Sequence, residues 1–571
     1  MSHFLRMKGR RELLTGILLL ASACISLAQD ESGFRATLPI QNDFSEKARK
    51  AFDELKQKAN TGDADAQAEL GKAYAEGDGT VSDYEQARIW YEKSAAQGNA
   101  KGLRGLGVIY SFGLGVNKDP EKGFRYTKKA AEKNNAAAQF NLALFYYRGV
   151  GVPADKEKAI RLAHSAAEQN VVDAQAFLGH CYLTGDGVPA DTQKGISWLT
   201  RAAEKNHADS QAALGTLYFE GKTVNQDYAR AFPYLAQAAP RGNARAQMLL
   251  GISYLNGLGT DKNPLEAEKW LEKAAAQKNP KAAGILGEIK IHQKNDSEAL
   301  KWLNIAAQGN YAPAQRHLGM SYMLGKLGLS RDRSEAEKWL KKAAEANDWE
   351  AQKGLGVLYF SGENLAESEK WLKKAVAQKV DAETACTLGL LYLKGVAGMP
   401  DLTKAEEWLR QAADKNLSVA YKPLGVIYMQ QGNDSEAEKW ISRAAELGDP
   451  EAQSILGMLH LSKGNLSEAE FWLRKLADQN HPEAFKPLGI ICMQQNNLIE
   501  AETWLLRAAE MNDSEAQLLL GMLYFQGVTG TPDFEKAKQW LQRAADNGNE
   551  NARTILEQLA QAAAASLQQP F

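Results

Sequence analysis

Cysteine is scarce in this chain: Cys24, Cys181, Cys386 and Cys492 are the only four in 571 residues. The last three lie more than 100 residues apart in the sequence. In a chain built from successive small units they would also lie far apart in space, whereas a disulfide needs Cα atoms within about 7 Å of each other. The spacing therefore excludes a small domain held together by disulfides. We expect the last three thiols to be buried.

Motifs for metal binding and nucleophilic catalysis are missing as well. The eight histidines are scattered, no two of them have metal-ligand spacing within one helix, and neither H-E-x-x-H nor G-x-S-x-G occurs. The sequence therefore predicts a protein that is not an enzyme. It indicates no catalytic, cofactor-binding or metal-ligating residues, and no cofactor.

Neither sign of charge is in large excess. The 68 basic and 70 acidic residues give a formal net charge of −2. Binding to nucleic acid needs a basic face, so a nucleic-acid partner is not expected. After residue 28 no stretch approaches 18 apolar residues, so no membrane span is expected once a signal has been removed.

Residues 1–28 have the pattern of a secretion signal. Four basic residues between positions 6 and 11 precede an apolar stretch at 13–27, and the small-x-small sequence at 26–28 predicts cleavage after Ala28. Export to the periplasm, or secretion, is the expected localisation. Two alternatives stay open: residues 21–24 resemble a loose lipobox that would lipidate Cys24, and Arg10-Arg11 resembles a twin-arginine signal.

The abundant feature is an internal repeat. A glycine, with alanine at one position, recurs every 36 residues up to Gly287 and every 32 to 37 residues afterwards. Trp or another large residue stands 17 or 18 residues before the next glycine, and of the twelve tryptophans only Trp349 lies outside that position. The repeated positions are Gly71, Gly107, Ala143, Gly179, Gly215, Gly251, Gly287, Gly319, Gly356, Gly389, Gly425, Gly457, Gly489 and Gly521.

An Asp or Asn stands near the middle of each repeat, seven residues before the large residue. A short acceptor side chain before a helical pattern is typical of an N-cap, because it accepts hydrogen bonds from backbone N–H groups that lack helical partners. The predicted caps are Asp83, Asp119, Asp155, Asp191, Asp227, Asn263, Asn295, Asp332, Asn364, Asp401, Asn433, Asn465, Asn497 and Asp533.

Each repeat therefore predicts two short amphipathic helices, which must bury their apolar faces against neighbouring repeats. The G-x-G pairs, such as Gly257 and Gly259, follow the first helices and are interpreted as left-handed turns rather than phosphate loops. Pro423 and Pro487 fall within two first helices, where they should bend or shift the stack. The repeats become shorter near residues 287–319, where a change of curvature is expected.

These motifs resemble the Sel-one-like repeat (SLR) family, whose members are related to tetratricopeptide repeats. The shared patterns are A-x-x-L-G-x-x-Y, G-x-G-V, D-x-x-K-A-x-x-W and K-A-A-x-x-G-N/D-x-x-A. The resemblance implies an all-α, right-handed superhelical solenoid of about fourteen helix-turn-helix repeats that serves as an interaction scaffold. It implies no catalysis.

The resulting domain plan has four parts. Residues 1–28 are the signal peptide, and 29–58 are an N-terminal segment with a capping helix at Phe44–Ala59. The solenoid spans 59–556. Residues 557–571 contain the end of a C-terminal capping helix, which begins near Ala552, and a tail.

The most informative site signal is the residue after each repeated glycine. It is mixed in the first seven repeats and always apolar from Gly356 onward. Since first helices are expected to line the concave surface, these residues could bind an extended peptide or an apolar helix. The alternative is that they only pack on the next repeat. The candidate partner-binding residues are Val357, Leu390, Val426, Met458, Ile490, Met522 and, as the exceptional tryptophan, Trp349.

The sequence therefore favours an exported, periplasmic scaffold or adaptor that binds a protein on its concave face. That protein could belong to the cell-wall or exopolysaccharide machinery. Two alternatives stay open: a cell-wall or exopolysaccharide-associated protein that binds or modifies carbohydrate, and a secreted host-interaction factor.

We predict that the mature protein begins at Gln29, because cleavage after Ala28 fits the small-x-small pattern. Edman sequencing or intact-mass measurement of the exported protein checks this. An acylated N-terminal Cys24 would contradict it and indicate a lipoprotein.

Overall fold

In a computed structural model the described chain, residues 46–396, 398–528 and 530–566, is entirely helical. The predicted signal peptide, the cleavage site and Cys24 lie outside the described residues. Within the described residues there are thirty α-helices and no strand. They are α1 (Glu46–Asn60), α2 (Ala64–Glu76), α3 (Tyr84–Ala96), α4 (Ala100–Phe112), α5 (Pro120–Glu132), α6 (Ala136–Arg148), α7 (Lys156–Glu168), α8 (Val172–Thr184), α9 (Thr192–Glu204), α10 (Ala208–Glu220), α11 (Tyr228–Ala238), α12 (Ala244–Asn256), α13 (Pro264–Ala276), α14 (Pro280–His292), α15 (Asp296–Gln308), α16 (Ala312–Leu324), α17 (Arg333–Glu345), α18 (Trp349–Ser361), α19 (Leu365–Gln378), α20 (Ala382–Lys394), α21 (Leu402–Asp414), α22 (Tyr421–Gln430), α23 (Asp434–Glu446), α24 (Pro450–Ser462), α25 (Leu466–Asp478), α26 (Phe485–Gln494), α27 (Leu498–Glu510), α28 (Ser514–Gln526), α29 (Phe534–Asp546) and α30 (Glu550–Ser566).

The helices alternate between two roles. Even-numbered helices from α2 to α28 are the first helices of fourteen repeats, and odd-numbered helices from α3 to α29 are the second helices. Helix α1 lies before the first repeat, and α30 lies after the last. The predicted all-α array of about fourteen helix pairs is confirmed.

The chain divides into two compact units, one ending at Tyr311 and the other beginning at Ala312. Unit 1 contains α1 to α15, and unit 2 contains α16 to α30. The boundary falls within the region where the sequence predicts a change in the repeat.

The second helices begin where the sequence predicts. Each of the fourteen predicted Asp and Asn residues is the N-cap of a second helix, and thirteen accept a backbone N–H through the side chain. Asp227 Oδ1, for example, lies 3.0 Å from the Arg230 nitrogen. Asn465 is the exception, because its side chain makes no capping hydrogen bond.

The repeated glycine is the point of closest approach between the two helices of a repeat. A Cβ placed on Gly251 would lie 2.7 Å from Leu271 Cγ, and one on Gly457 would lie 2.6 Å from Leu473 Cγ. Leu271 and Leu473 each follow the large residue of the second helix and are fully buried. The glycine therefore makes room for the leucine, which is a close-packing requirement.

One repeat satisfies the same requirement with different residues. Its repeated position is Ala143, and the residue after the large position is Ala163 in place of leucine. Both alanines are fully buried in one cluster in unit 1. The added methyl group on the first helix is thus matched by a smaller side chain on the second.

The glycines after the first helices adopt left-handed backbone, as expected. Gly257, the C-cap of α12, and Gly259 both have φ of 73°. The second glycine has a further role that the pattern did not indicate: a Cβ on Gly259 would collide with the carbonyl oxygen of Tyr228, which begins α11.

The two prolines lie in shortened helices rather than in helix interiors. A 3-10 turn at Ser418–Ala420 precedes α22, and another at Pro482–Ala484 precedes α26. Pro423 and Pro487 are thus the third residues of ten-residue helices. Because the first N–H groups of a helix have no helical partner, proline is tolerated there.

We predict that the effect of Gly251→Ala changes sign with the residue at position 271. Alanine normally stabilises a helix interior by about 1 kcal/mol relative to glycine. Here the Cβ would overlap Leu271, and overpacking of this kind costs about 1–3 kcal/mol. In a Leu271→Ala background the overlap with Leu271 is gone and the one close neighbour left is the carbonyl oxygen of Ala267, 3.1 Å from the added Cβ, so Gly251→Ala should stabilise the protein. Urea denaturation of the four proteins in the cycle measures the coupling.

The native Ala143–Ala163 pair is the matched control for this cycle. Ala143→Gly should destabilise the protein by about 1 kcal/mol, since no clash is relieved. Stabilisation by Gly251→Ala in both backgrounds would show that close approach does not explain the glycine.

Candidate functional site

Unit 2 has seven repeated glycines, and the residues after six of them, from Gly356 onward, lie on the solvent side of their first helices. They occupy equivalent positions on α18, α20, α22, α24, α26 and α28. Met458 and Met522 are 49% and 40% exposed, and Val357, Leu390, Val426 and Ile490 are half-buried. Leu390 and Val426 also pack against the core of unit 2. The row therefore combines core packing with exposed apolar surface.

A second apolar row runs beside the first, three residues later in each helix. Sequence reasoning missed it, although apolar residues at this spacing share one face of a helix. Met429 and Phe525 are about as exposed as Met522, and the other members are half-buried. We call the two rows together the apolar stripe. The second row consists of Phe360, Leu393, Met429, Leu461, Met493 and Phe525.

The first-row positions in unit 1 do not form an apolar series, because polar and charged residues stand there beside apolar ones. His180 belongs to this row, and burial lowers its pKa to about 4, so the ring is neutral at pH 7. The second-row positions of unit 1 are mostly apolar and half-buried, as Leu183, Phe219 and Leu255 are. The combination of two apolar rows is therefore a feature of unit 2. The first-row residues in unit 1 are Lys72, Val108, Leu144, His180, Thr216, Ile252 and Glu288.

Trp349 lies away from the centre of the stripe. It is the first residue of α18 and precedes Val357 by eight residues, which is about 12 Å of helix rise. The indole is half-buried, and the Lys379 ammonium lies 4.5 Å from its ring centre. A partner could reach Trp349 only if it also extended to the N-terminal end of α18.

Carboxylates line the N-terminal ends of the same first helices. Five glutamates lie in or near the first turns, and four aspartates are N-caps. We call these nine residues the acidic rim: Glu350, Glu383, Glu451, Glu483, Glu515, Asp348, Asp381, Asp449 and Asp513.

Three lysines connect the rim from one repeat to the next. Lys353 pairs with Asp381 (3.3 Å) and with Glu383. Lys422 lies 3.2 Å from Asp449 and 2.6 Å from Glu451. Lys486 makes the corresponding pairs with Asp513 and Glu515, at 3.3 and 2.7 Å. Each bridge joins two first helices and fixes the spacing of the residues between them.

The charges of this network shift the pKa of its members. Burial alone would lower the pKa of Lys353, but the hydrogen bond to Glu383 and the charge of Asp381 raise it. Burial would likewise raise the pKa of Asp381. The backbone N–H of Thr384 and the charge of Lys353 outweigh burial and hold that pKa below its usual range. The pair is thus ionised at neutral pH.

A hydrogen bond between successive repeats of unit 2 holds three first helices against the second helix of the preceding repeat. The Tyr428 hydroxyl donates to Glu406 over 2.7 Å, and Tyr359 and Tyr392 donate to Glu337 and Glu369 over 2.6 Å. Burial, followed by Glu406, raises the pKa of Tyr428 to about 12. The sequence indicated a buried tyrosine at this position but not its carboxylate partner.

Buried glutamines link several repeats to the helix before them, and sequence reasoning missed them. Gln453 Nε2 donates to the carbonyl oxygen of Ala445 in the last turn of α23 (3.1 Å), and its Oε1 accepts from Gln479 (2.9 Å). Seven first-helix glutamines donate to a preceding helix in this way. Each accepting carbonyl group lies at the end of the preceding helix and also accepts a backbone N–H from the turn that follows, so the glutamine adds a second hydrogen bond to it.

The detectable signal for this link is glutamine four residues before the repeated glycine, which occurs in nine of the fourteen repeats. In the two repeats that contain Pro423 and Pro487, an aromatic residue takes the place of this glutamine. Tyr421 and Phe485 pack on Trp440 and Trp504, with ring centres 5.7 and 5.9 Å apart.

The three described cysteines are buried, as the sequence predicts. Burial raises the pKa of Cys386 and of Cys492 to about 11, so these thiols are neutral at pH 7. Within residues 46–396, 398–528 and 530–566, no group of three or more His, Cys, Asp or Glu could hold a metal ion. No helix in that part of the chain is long and apolar enough to span a membrane.

Comparison with known families gives one match over most of the chain, the Sel1 repeat. Fourteen consecutive segments match, and they follow the helix pairs described above. They are residues 64–99, 100–135, 136–171, 172–207, 208–243, 244–279, 287–311, 312–348, 349–380, 382–417, 424–449, 450–481, 489–513 and 514–549.

Two solved structures illustrate the similarity. A protective antigen of uropathogenic Escherichia coli strains, which displays an SLR fold, is 26% identical, with a TM-score of 0.61. The alignment covers 88% of this chain and 97% of that one. A Sel1 repeat protein from Oxalobacter formigenes is 31% identical, covering 52% and 99% of the two chains, with a TM-score of 0.34. A comparison with curated proteins returns no match.

We predict that Lys353→Met lowers the free energy of unfolding by about 1 kcal/mol at pH 7. Asp381 has a lowered pKa in the folded protein, so its contribution is present above the unfolded-state pKa of about 3.9. That contribution is lost as pH falls through the folded-state pKa. The difference between variant and wild type should therefore persist at pH 5 and shrink below pH 4. Urea denaturation across this range measures it.

Lys404→Met is the control, because Lys404 pairs with Asp401 within one helix and both side chains are more exposed. Its effect should be about 0.3 kcal/mol. Equal losses for the two variants would contradict a special role for the bridge between repeats.

Proposed function

The chain belongs to the Sel1 repeat family, and we propose that it is an exported scaffold whose unit 2 binds a protein partner across its first helices. Proteins of this family generally mediate protein–protein interaction. The observation that carries the proposal is the apolar stripe, which crosses six consecutive first helices and leaves Met458 and Met522 about half exposed.

The stripe favours a protein partner for physical reasons. Single exposed apolar side chains are ordinary on a protein surface, but a continuous series of them marks an interaction site. Methionine, which is flexible and polarisable, adapts to apolar partners of different shape. Hydrogen bonds and salt bridges between the helices hold the stripe on a rigid frame, so little order has to be gained when a partner binds.

A catalytic role has no support in the same region. The Sel1 repeat family is generally non-catalytic. Carboxylates of the rim are occupied as N-caps and in bridges to lysine. The described thiols are buried, and burial raises their pKa. Binding without chemistry is therefore the function that the site supports best.

Export is the second element of the proposal. Its support is the pattern in residues 1–28, in which basic residues, an apolar stretch and a small-x-small site follow in order. Periplasmic delivery would place the stripe in contact with envelope proteins, which include the cell-wall and exopolysaccharide machinery.

Site-specific photo-crosslinking in the producing cell tests the proposal. A photoreactive amino acid at position 458 or 522 should give a discrete adduct with one protein, identified by mass spectrometry. The same group at Phe471 or Ile499, which are exposed on second helices, is the control and should not give that adduct. Adducts of equal yield at all four positions, or at none, would contradict the proposed binding face.

Substitution separates binding from folding. Met458→Asp and Met522→Asp should each weaken binding of the crosslinked protein about tenfold or more, because a charge would be desolvated in an apolar contact. Their melting temperatures should change by only a few degrees, since both side chains are exposed in the free protein. Loss of the folded state would show that the stripe is core.

A further inference from the structure

The apolar stripe and the acidic rim lie on the same helices and on the same side of each. At five of the six first helices a rim glutamate precedes the first-row residue by seven positions, as Glu383 precedes Leu390 and Glu451 precedes Met458; at α22 that position is Val419. Seven residues are almost two turns of a helix, so both side chains point the same way, about 10 Å apart along the axis. A partner seated on the stripe therefore has carboxylates along one flank.

The rim keeps an excess of negative charge after its internal pairs are counted. It has nine carboxylates. The three bridging lysines and Arg316, which pairs with Asp348 (3.3 Å) and with Glu350, offset four of them. That leaves five negative charges. The outer carboxylates are well exposed although they are paired, with side-chain exposures of 71% for Glu383, 77% for Glu451 and 62% for Glu515.

Unit 1 shows that this charge pattern is not a requirement of the repeat. At the positions equivalent to the rim glutamates, unit 1 has three aspartates, three basic residues and one alanine. At these equivalent positions, acidic residues predominate in unit 2, where the apolar stripe lies, and are balanced by basic residues in unit 1. Two independent properties of the surface thus coincide in unit 2.

The dimensions of the stripe fit a helix. Helices in contact lie about 8–10 Å apart, so six successive first helices span at least roughly 40–50 Å. A helix laid across them rises about 1.5 Å per residue and would need at least about five to seven residues to reach the next first helix. An amphipathic helix presents three to four apolar residues over two turns, which matches the two apolar rows. An extended strand presents a single row of side chains on one face.

We propose that the stripe binds a basic amphipathic helix, with its apolar face on the two rows and its lysines or arginines against the acidic rim. The inference rests on the proposed function, since it specifies the chemistry of the protein partner at the same face. Opposite charges along one flank also fix the orientation and lateral position of the bound helix.

Three labelled 21-residue peptides test the inference by fluorescence anisotropy with the full-length exported protein. The first has leucine at i, i+3, i+4 and i+7 with lysine elsewhere, and the second replaces every lysine with glutamate. The third keeps the composition of the first but alternates leucine and lysine. We expect the first to bind about tenfold or more tightly than either of the others, and to weaken with salt. Equal binding of the acidic or the alternating peptide would overturn the inference.

Two triple variants locate the interaction on the protein. Glu383→Gln, Glu451→Gln and Glu515→Gln together should weaken binding of the first peptide about tenfold. The side-chain size is kept, and the aspartate partners of the lysines remain. Glu407→Gln, Glu446→Gln and Glu510→Gln remove the same charge from exposed positions on second helices and should leave affinity unchanged. Equal effects of both triples would show non-specific attraction and overturn the inference.

The two proposals fail in different ways. If none of the peptides binds while photo-crosslinking at 458 and 522 still gives its adduct, the helix inference is wrong and the scaffold proposal stands. If only the acidic peptide binds, the face is used but the charge assignment is wrong. If neither the peptides nor the crosslinking identify the face, both proposals fail.

Discussion

The structure depends on one contact, that between a glycine in the first helix of each repeat and the buried leucine or its equivalent in the second. A missing Cβ at Gly251 or Gly457 lets the leucine enter the surface of the first helix. This contact determines which side of the first helix is buried. The opposite side of the first helix must then face solvent, and the residue after the glycine lies at the edge of that side. The candidate binding face is therefore a geometric consequence of the way each repeat closes.

The features that sequence could predict are local and periodic. N-caps act within three residues of themselves, and a glycine at a helix end needs only its own backbone conformation, so both are visible in the sequence pattern. Repetition adds further support, because fourteen copies separate a structural position from chance. For this reason the sequence allowed us to predict the helix pairing, the thirteen caps that accept a hydrogen bond and the burial of the thiols. Pro423 and Pro487 do lie within first helices, but the sequence did not predict the 3-10 turns that precede them and shorten those helices.

The features that sequence could not predict join residues from different helices. Gln453 bonds to Ala445 and Gln479, and Tyr428 bonds to Glu406; none of these pairs is adjacent on one helix. The exchange of glycine and leucine for Ala143 and Ala163 is of the same kind, since it involves two helices. The second row of the stripe was missed for another reason. Its residues resemble ordinary core residues, and only their solvent accessibility in the fold distinguishes them.

Folding alone does not explain the acidic excess of the rim in unit 2. Neighbouring carboxylates repel one another, and the lysine bridges offset only part of that repulsion. Because unit 1 forms the same helix pairs with mixed charges at these positions, the repeat does not require the acidic excess. Nor does it require apolar residues on the solvent side of six consecutive first helices, where unit 1 has lysine, threonine and glutamate among its residues. The acidic excess would lower the stability of the free protein, and the apolar residues would be exposed to solvent in it. Both features occur on one face. A partner that covers the apolar rows and supplies positive charge accounts for them together.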